Sequence, residues 1–409
     1  MNHPQLRQSI GNWVVGDRFF DREAELQRFI ELLDEGAHIQ LVAPRRTGKT
    51  SLMREAERLL SERMATVFVD LEASRSPEDA IVEIGKAAHE HTRLRDRVWE
   101  FLKGVVPAEV RLDEVTLKLR NELQGADWRA KGDRLLALLA KLDRPVVLFL
   151  DEVPILVNRL VCDAAGDLQP DGRAAADAFM SWLRAAAQRH QGALRIVLSG
   201  SIGLEPILRR VGLSATLNAF TPFHLDPWSP ETAAACVRAL ARQYEIVLDA
   251  GTEQAITDQL GCCIPHHVQM FFGHLRDDAQ ARANATLGPD DVRRVYRDRL
   301  LGNKGHASLS HYEERLRSVL APSLRDLAAD LLTEAAVVGR LTPTAAMALA
   351  RADVKEPRAA LDEILGVLEH DGYLARDASG DYAYVSHLVR DWWRARFGFN
   401  WQPVAGGSR

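Results

Sequence analysis

The stretch LVAPRRTGKTSL, Leu41 to Leu52, decides the fold. Before it stands the apolar run HIQLVA, a short strand, and after it SLMREAERLL has helical spacing. Strand, loop and helix in that order are the setting of a phosphate-binding loop, G-x-x-x-x-G-K-[ST], and Gly48, Lys49 and Thr50 supply its second half. In such a loop backbone N–H groups and the helix N-terminus offer phosphates a fixed positive potential. The residues expected to cradle them are Ala43, Pro44, Arg45, Arg46, Thr47, Gly48, Lys49, Thr50 and Ser51. Lys49 would reach the β- and γ-phosphates, Thr50 would set its hydroxyl on Mg²⁺, and Gly48 lets the backbone approach closely.

One residue departs from the motif. Ala43 stands where the first glycine belongs. Pro44 follows it, and a residue before proline is held extended, a conformation in which alanine is unstrained. The missing glycine therefore reads as a tolerated variant. Arg45 and Arg46 point at phosphate or at a partner. A solvated surface arginine is the plainer reading of Arg45; for Arg46 a nucleotide role is favoured.

Outward from the loop, strands and helices alternate. DREAELQRFIELLDEG carries a helical stripe of Leu26, Phe29, Ile30 and Leu33. ATVFVDLE, RPVVLFLDE, LRIVLSGS and FTPFHL read as four further strands. Continuous apolar strands separated by helices predict a parallel sheet covered on both faces. A long insertion, about 73–143, holds alternating Val110, Leu112, Val115, Leu117 and Leu119, which suggests a small hairpin.

The strand VVLFLDE ends in an acid pair. Asp151 would hold Mg²⁺ through its water shell, and Glu152 would orient the attacking water. Paired with Gly-Lys-Thr in this order, the two acids favour hydrolysis of a nucleotide. At the end of LRIVLSGS, Ser199 and Ser201 have two readings: a polar group between the metal-bound water and the γ-phosphate, or a helix N-cap for IGLEPILRR. Arg209 and Arg210 end that helix as an arginine finger or, more plainly, as solvated charge.

Beyond DPWSPE the pattern becomes helical throughout, to about Leu301. GCCIPHHVQ groups two Cys and two His, but adjacent ligands suit zinc poorly; Pro265 at a helix's first turn explains the stretch. LGNKGHASLS reads as a polar linker. After it come three helices, with Leu361, Ile364, Leu365 and Leu368 on one face of the third, and then a hairpin turning at Ser379-Gly380. That is the order of a winged helix-turn-helix. RDWWRARF puts Trp392, Trp393 and Phe397 on one helix, where packing is the expected role.

Composition bounds the rest. The 409 residues are 46% hydrophobic and 27% charged with net charge −5, a field that does not favour nucleic acid or an anionic membrane. Four cysteines without a C-x-x-C pair suit reduced thiols in a cytoplasm. No apolar run of about 18 residues or more suggests a membrane span, and the first twenty residues show no apolar core of signal-peptide length.

Taken together, FFDREAEL, APRRTGKTSL, VVLFLDE, VLSGS, IPHHVQ and YAYVSHLVRDWW resemble the archaeal-type ATPases, in the STAND and replication-initiator branch of the AAA+ superfamily. The resemblance implies an α/β P-loop core (1–228), an all-helical lid (229–304), a winged helix domain (305–400) and a flexible tail (401–409). It also implies ATP or ADP held between core and lid, with Pro265 at the nucleotide. Where the family shows Gly-Gly-x-Pro, Cys262 and Cys263 replace the glycines. LNAFTPF lacks the arginine the family often carries before the fifth strand.

The function expected is a nucleotide-dependent switch ATPase, with Lys49, Glu152 and Ser199 catalytic, that engages a protein partner. An oligomer is compatible with this reading. Two alternatives stand: a DNA-binding ATPase, and an ADP-bound adaptor. Charge disfavours DNA, because residues 321–400 hold nine Lys/Arg against twelve Asp/Glu. The better basic candidate is DVRRVYRDRLLGNK, with Arg293, Arg294 and Arg297.

Overall fold

The computed structural model describes residues 6–91, 94–95, 128–163 and 165–404. The predicted hairpin at 110–119 lies outside them. The chain divides into two compact units. One comprises Arg22–Val42 and Leu52–Leu225; the other comprises Met1–Asp21, Ala43–Ser51 and Asp226–Arg409.

The first unit is built on a five-stranded parallel sheet. Its strands are β1 (Ile39–Val42), β2 (Ala65–Asp70), β3 (Val146–Asp151), β4 (Leu194–Leu198) and β5 (Thr221–His224), ordered β2-β3-β4-β1-β5. All five were read as strands. Every residue of β3 and β4 is buried, as a sheet covered on both faces requires. Val146, Leu148 and Leu150 join one apolar cluster with Leu194, Ile196 and Phe179. Phe149, on the opposite face, stacks on Phe29 of the helix Glu23–Asp34 at 6.5 Å. Because the strands are parallel, β1, β3 and β4 end at one edge of the sheet. Asp151 is the last residue of β3, and the phosphate loop begins at the residue after β1.

The second unit begins its helical part with Pro230–Gln243, Thr252–Leu260, Pro265–Ala281 and Pro289–Val295. The expectation of helix throughout is corrected. Val247–Leu248 pairs in parallel with Thr286–Leu287. Each short strand follows a residue in the left-handed region, Glu245 at φ 55° and Ala283 at φ 50°, which ends the preceding helix and releases an extended segment. A buried carboxylate ties this region together. Asp278 accepts from Arg294 at 2.6 and 2.9 Å, Arg282 at 2.8 Å and Arg299 at 3.0 Å. The Arg294 hydrogen bonds, with those of Arg282, hold its pKa down to about 2.

LGNKGHASLS is not a linker. It forms the helix Asn303–Leu309, and His311–Val319 follows as another. Burial outweighs the polar composition here: Leu309, Tyr312 and Leu316 enter the core, and His306 Nδ1 accepts from Trp392 Nε1 at 3.2 Å. The helices Pro322–Val338, Pro343–Asp353 and Pro357–His370 then lead into the antiparallel pair Leu374–Arg376 and Tyr382–Tyr384, and His387–Phe397 closes the series. This is the element order expected of a winged helix-turn-helix. Gly380, at φ 90°, makes the hairpin turn. Trp392 and Trp393 are core residues, and Trp393 Nε1 donates to Thr333 Oγ1 at 3.0 Å. Fully buried Glu334 accepts from Trp401 Nε1 at 2.6 Å and Val404 N at 3.2 Å. Among the described residues no helix is long and apolar enough to cross a membrane.

Candidate functional site

The loop after β1 leads directly into the helix Lys49–Leu60. Gly48 sits at φ 101°, and the next residue opens the helix. Ala43 is not among the residues with positive φ, so the position lacking its glycine does not use the conformation only glycine adopts freely. Lys49 is 8% exposed, and its amine donates to Ala43 O at 2.8 Å and Pro44 O at 3.0 Å. Thr47 Oγ1 donates to Pro44 O at 2.8 Å, and Ser51 Oγ accepts from Val14 N at 3.1 Å. The loop is thus wrapped around its own lysine. Thr50 lies in the first turn of the helix.

Arg46 departs from ordinary backbone geometry. It is a non-glycine residue at φ 67°, a conformation that costs energy and persists only when its surroundings enforce it. Here the surroundings are polar. Its guanidinium meets His266 Nε2 and donates to Ser308 O at 3.3 Å. His266 follows Pro265, which takes the first position of the helix Pro265–Ala281 as expected. Burial, and then the charges of Arg46 and Arg45, hold His266 down to about 3, so it is a neutral acceptor for the arginine. The same causes hold His311 near 3. His267 is fully buried with both ring nitrogens unpartnered, and its pKa is also well below the usual value. Neither Arg45 nor Arg46 has an ion-pair partner among the described residues, and burial lowers the pKa of Arg46. Arg45 is half-buried rather than the solvated residue expected. Burial also pushes the Cys262 and Cys263 thiols up, to about 12 and 11.

In the sheet unit the acid pair lies where the strand pattern predicts. Asp151 is buried and accepts from Glu152 N at 3.0 Å. Glu152, at φ 58°, is the N-cap residue of the helix Val153–Val161. Ser199 is 2% exposed and its Oγ has no hydrogen-bond partner among the described residues. The N-cap reading of Ser201 is corrected: Gly203 occupies that position before the helix Leu204–Arg210. Ser201 instead donates to Glu152 Oε2 from its N–H at 2.8 Å and from its hydroxyl at 2.9 Å. Arg209 pairs loosely with Glu205 at 3.8 Å, while Arg210 reaches Cys162 Sγ at 3.4 Å.

A parallel five-stranded sheet with this strand order, a phosphate loop after β1 and acids after β3 can be compared with solved structures. A Walker-type ATPase of Pyrococcus abyssi aligns with 94% of this chain and 99% of its own at 18% identity, with a TM-score of 0.62. The Aeropyrum pernix ORC2 protein, solved as ADPNP–ADP complexes, aligns over 93% of this chain and 96% of its own at 13% identity and a TM-score of 0.52. The chain shares the α/β fold of these two proteins, built on a five-stranded parallel sheet. No protein-family model and no curated protein matches the sequence.

Within that fold, the loop residues Ala43 to Ser51 and Pro265 fall in one unit; Asp151, Glu152 and Ser199 fall in the other. Sequence reasoning missed the contact of Arg46 with His266 and the grip of Ser201 on Glu152. The histidines were visible in GCCIPHHVQ, but only as metal candidates. Among the described residues no group of three or more His, Cys, Asp or Glu could hold a metal ion. The basic stretch DVRRVYRDRLLGNK is neutralised within itself and its neighbours: Arg293 pairs with Asp290, Arg294 with Asp278 and Asp291, and Arg297 with Asp298.

Proposed function

We propose that this chain binds and hydrolyses ATP and works as a nucleotide-dependent switch that engages a protein partner. The observation that carries the reading is the loop itself. The amine of buried Lys49, held by the carbonyls of Ala43 and Pro44, sits at a helix N-terminus that follows two arginines with no ion-pair partner among the described residues. Such a loop has an excess of positive charge that phosphates would neutralise. The fold supports the same reading.

In this reading Lys49, Arg46 and the loop N–H groups bind the phosphates. Mg²⁺ would supply charge neutralisation on the phosphate oxygens. The donors proposed for it, the Thr50 hydroxyl and Asp151 carboxylate, are hard oxygens and few, which suits a cation that keeps waters and phosphate oxygens. Glu152 orients the attacking water, and the unpartnered Ser199 hydroxyl contributes a polar contact in the acid-pair region. Pro265 brings the lid to the nucleotide. The domain division proposed is 1–228, 229–304 and 305–400.

Phosphate release compared with Glu152→Gln tests the reading. Equal release by both proteins removes Glu152 from its role, and no release by the wild type leaves a nucleotide-bound adaptor. The DNA-binding alternative finds little support, because the best basic stretch is internally paired. Binding to generic duplex DNA that weakens steeply with salt would revive it.

A further inference from the structure

We propose that Ser201 is the positioning residue for Glu152: its N–H and hydroxyl together fix the carboxylate that addresses the attacking water. The proposal rests on the ATPase reading above and adds a residue to it. Three features of the sheet unit converge on this contact.

The first is the backbone at Glu152. A carboxylate at a helix N-cap ordinarily accepts from the N–H groups of its own helix. Glu152 makes no such capping bond, and its φ is 58°. A left-handed glutamate is strained and needs a compensating contact. The second is the destination of the side chain. Oε2 receives two donors from one residue, the Ser201 N–H at 2.8 Å and the hydroxyl at 2.9 Å. Two donors on one oxygen fix the carboxylate's position as a single one would not. The third is Gly200. A Cβ there would lie 2.4 Å from Pro154 Cδ, 2.7 Å from Pro154 Cγ and 3.4 Å from Glu152 Oε2. Only a residue without a side chain lets the strand end pass close to Pro154 and present Ser201 to the carboxylate. Pro154 belongs to the first turn of the helix that Glu152 precedes, so the glutamate, its helix and the Gly200-Ser201 turn form one packed assembly.

The chemistry follows. In hydrolysis the water oxygen bonds to the γ-phosphorus as the bond to the β–γ bridging oxygen breaks, giving ADP and phosphate. A carboxylate aligns that water only if it is itself held, since a misplacement of about 1 Å can cost about 100-fold in rate. Ser201 does the holding without touching the reacting atoms.

The test uses the full chain with MgATP. Ser201→Ala keeps the backbone donor and loses the hydroxyl. It should lower kcat about 10-fold while KM stays within about twofold, and Ser201→Thr should recover kcat to within about threefold of wild type. An independent readout needs no turnover. The Ser201 amide should exchange its hydrogen at least about 10-fold faster in Glu152→Ala than in wild type, because its acceptor is gone. Wild-type kcat in Ser201→Ala, a Thr variant as slow as the Ala variant, or unchanged amide exchange would each overturn the role of Ser201 while leaving the ATPase reading intact. A wild-type chain that releases no phosphate overturns both.

Discussion

The phosphate loop and the acid pair each set a half-buried charged residue in the left-handed region beside a buried one, yet they meet their charge in opposite ways. Glu152 is satisfied from within its own unit by Ser201. Arg46 is not met by an acid among the described residues. Its partners are a neutral imidazole and a carbonyl, with His267 unpartnered nearby in sequence and fully buried. Burying unpaired positive charge is costly. Under the proposed reading the loop is the region that an incoming anion would neutralise, whereas Glu152 already has its donors in Ser201.

The sharpest way to break this contrast is Lys49→Ala. It should weaken nucleotide binding by roughly 100-fold or more, since an ammonium's bonds to phosphate contribute about 1.5–3 kcal/mol each; titration with a fluorescent ATP analogue measures it. Undiminished affinity would mean the positive charge of the loop is structural. On the other side, Glu152→Gln should preserve binding and lower phosphate release by about 10²- to 10⁴-fold. A loss of affinity instead would show that the acid is not organised in advance.

Acid should separate the two regions as well. His266 and His311 are held near 3 in the folded chain against an ordinary value of 6.5. The unfolded chain therefore binds protons first as pH falls, so stability is full above about pH 6.5 and declines from there toward pH 3. The decline at pH 5 should be about 2 kcal/mol per histidine. Thermal melting across that window should show it, and His266→Gln with His311→Gln should flatten the curve.

Two smaller effects refine the loop. His266→Ala frees Arg46 from the lid, and nucleotide affinity should rise about threefold to tenfold, the equivalent of one modest hydrogen bond given up beforehand. Reduced affinity in a calorimetric titration would make His266 a direct ligand. Ala43→Gly should change affinity by less than about twofold, because the site does not use positive φ and only loop entropy changes.

Much of this was legible in the sequence. The five strands announced themselves as continuous apolar runs, and Gly48-Lys49-Thr50 and Asp151-Glu152 stood at their ends. The winged element order could be followed from Pro322, Pro343 and Pro357, each at the start of a helix. What could not be read depends on partners distant along the chain. Arg46 finds His266 after 220 residues, and Ser201 finds Glu152 after 49. No local periodicity encodes either meeting. Asn303–Leu309 looked like a linker because its glycines and polar residues favour one; burial of Leu309 and the bond to Trp392 decide otherwise. The short strands Val247–Leu248 and Thr286–Leu287 are too brief to show alternation.

The grip of His266 and Ser308 on Arg46 also bears on the order in which the chain is completed. The phosphate loop follows a strand of the sheet unit, but the partners of Arg46 are made long afterwards, and the nine residues Ala43–Ser51 group with Met1–Asp21 and Asp226–Arg409 rather than with the sheet. Contacts of such long sequence separation form late, after the entropy of closing the intervening chain has been met. A nascent chain, or a fragment ending at Leu225, would carry the loop's full motif without the contacts that shape Arg46. Its loop should stay flexible and acquire its final form only when the helix Pro265–Ala281 and Ser308 are in place.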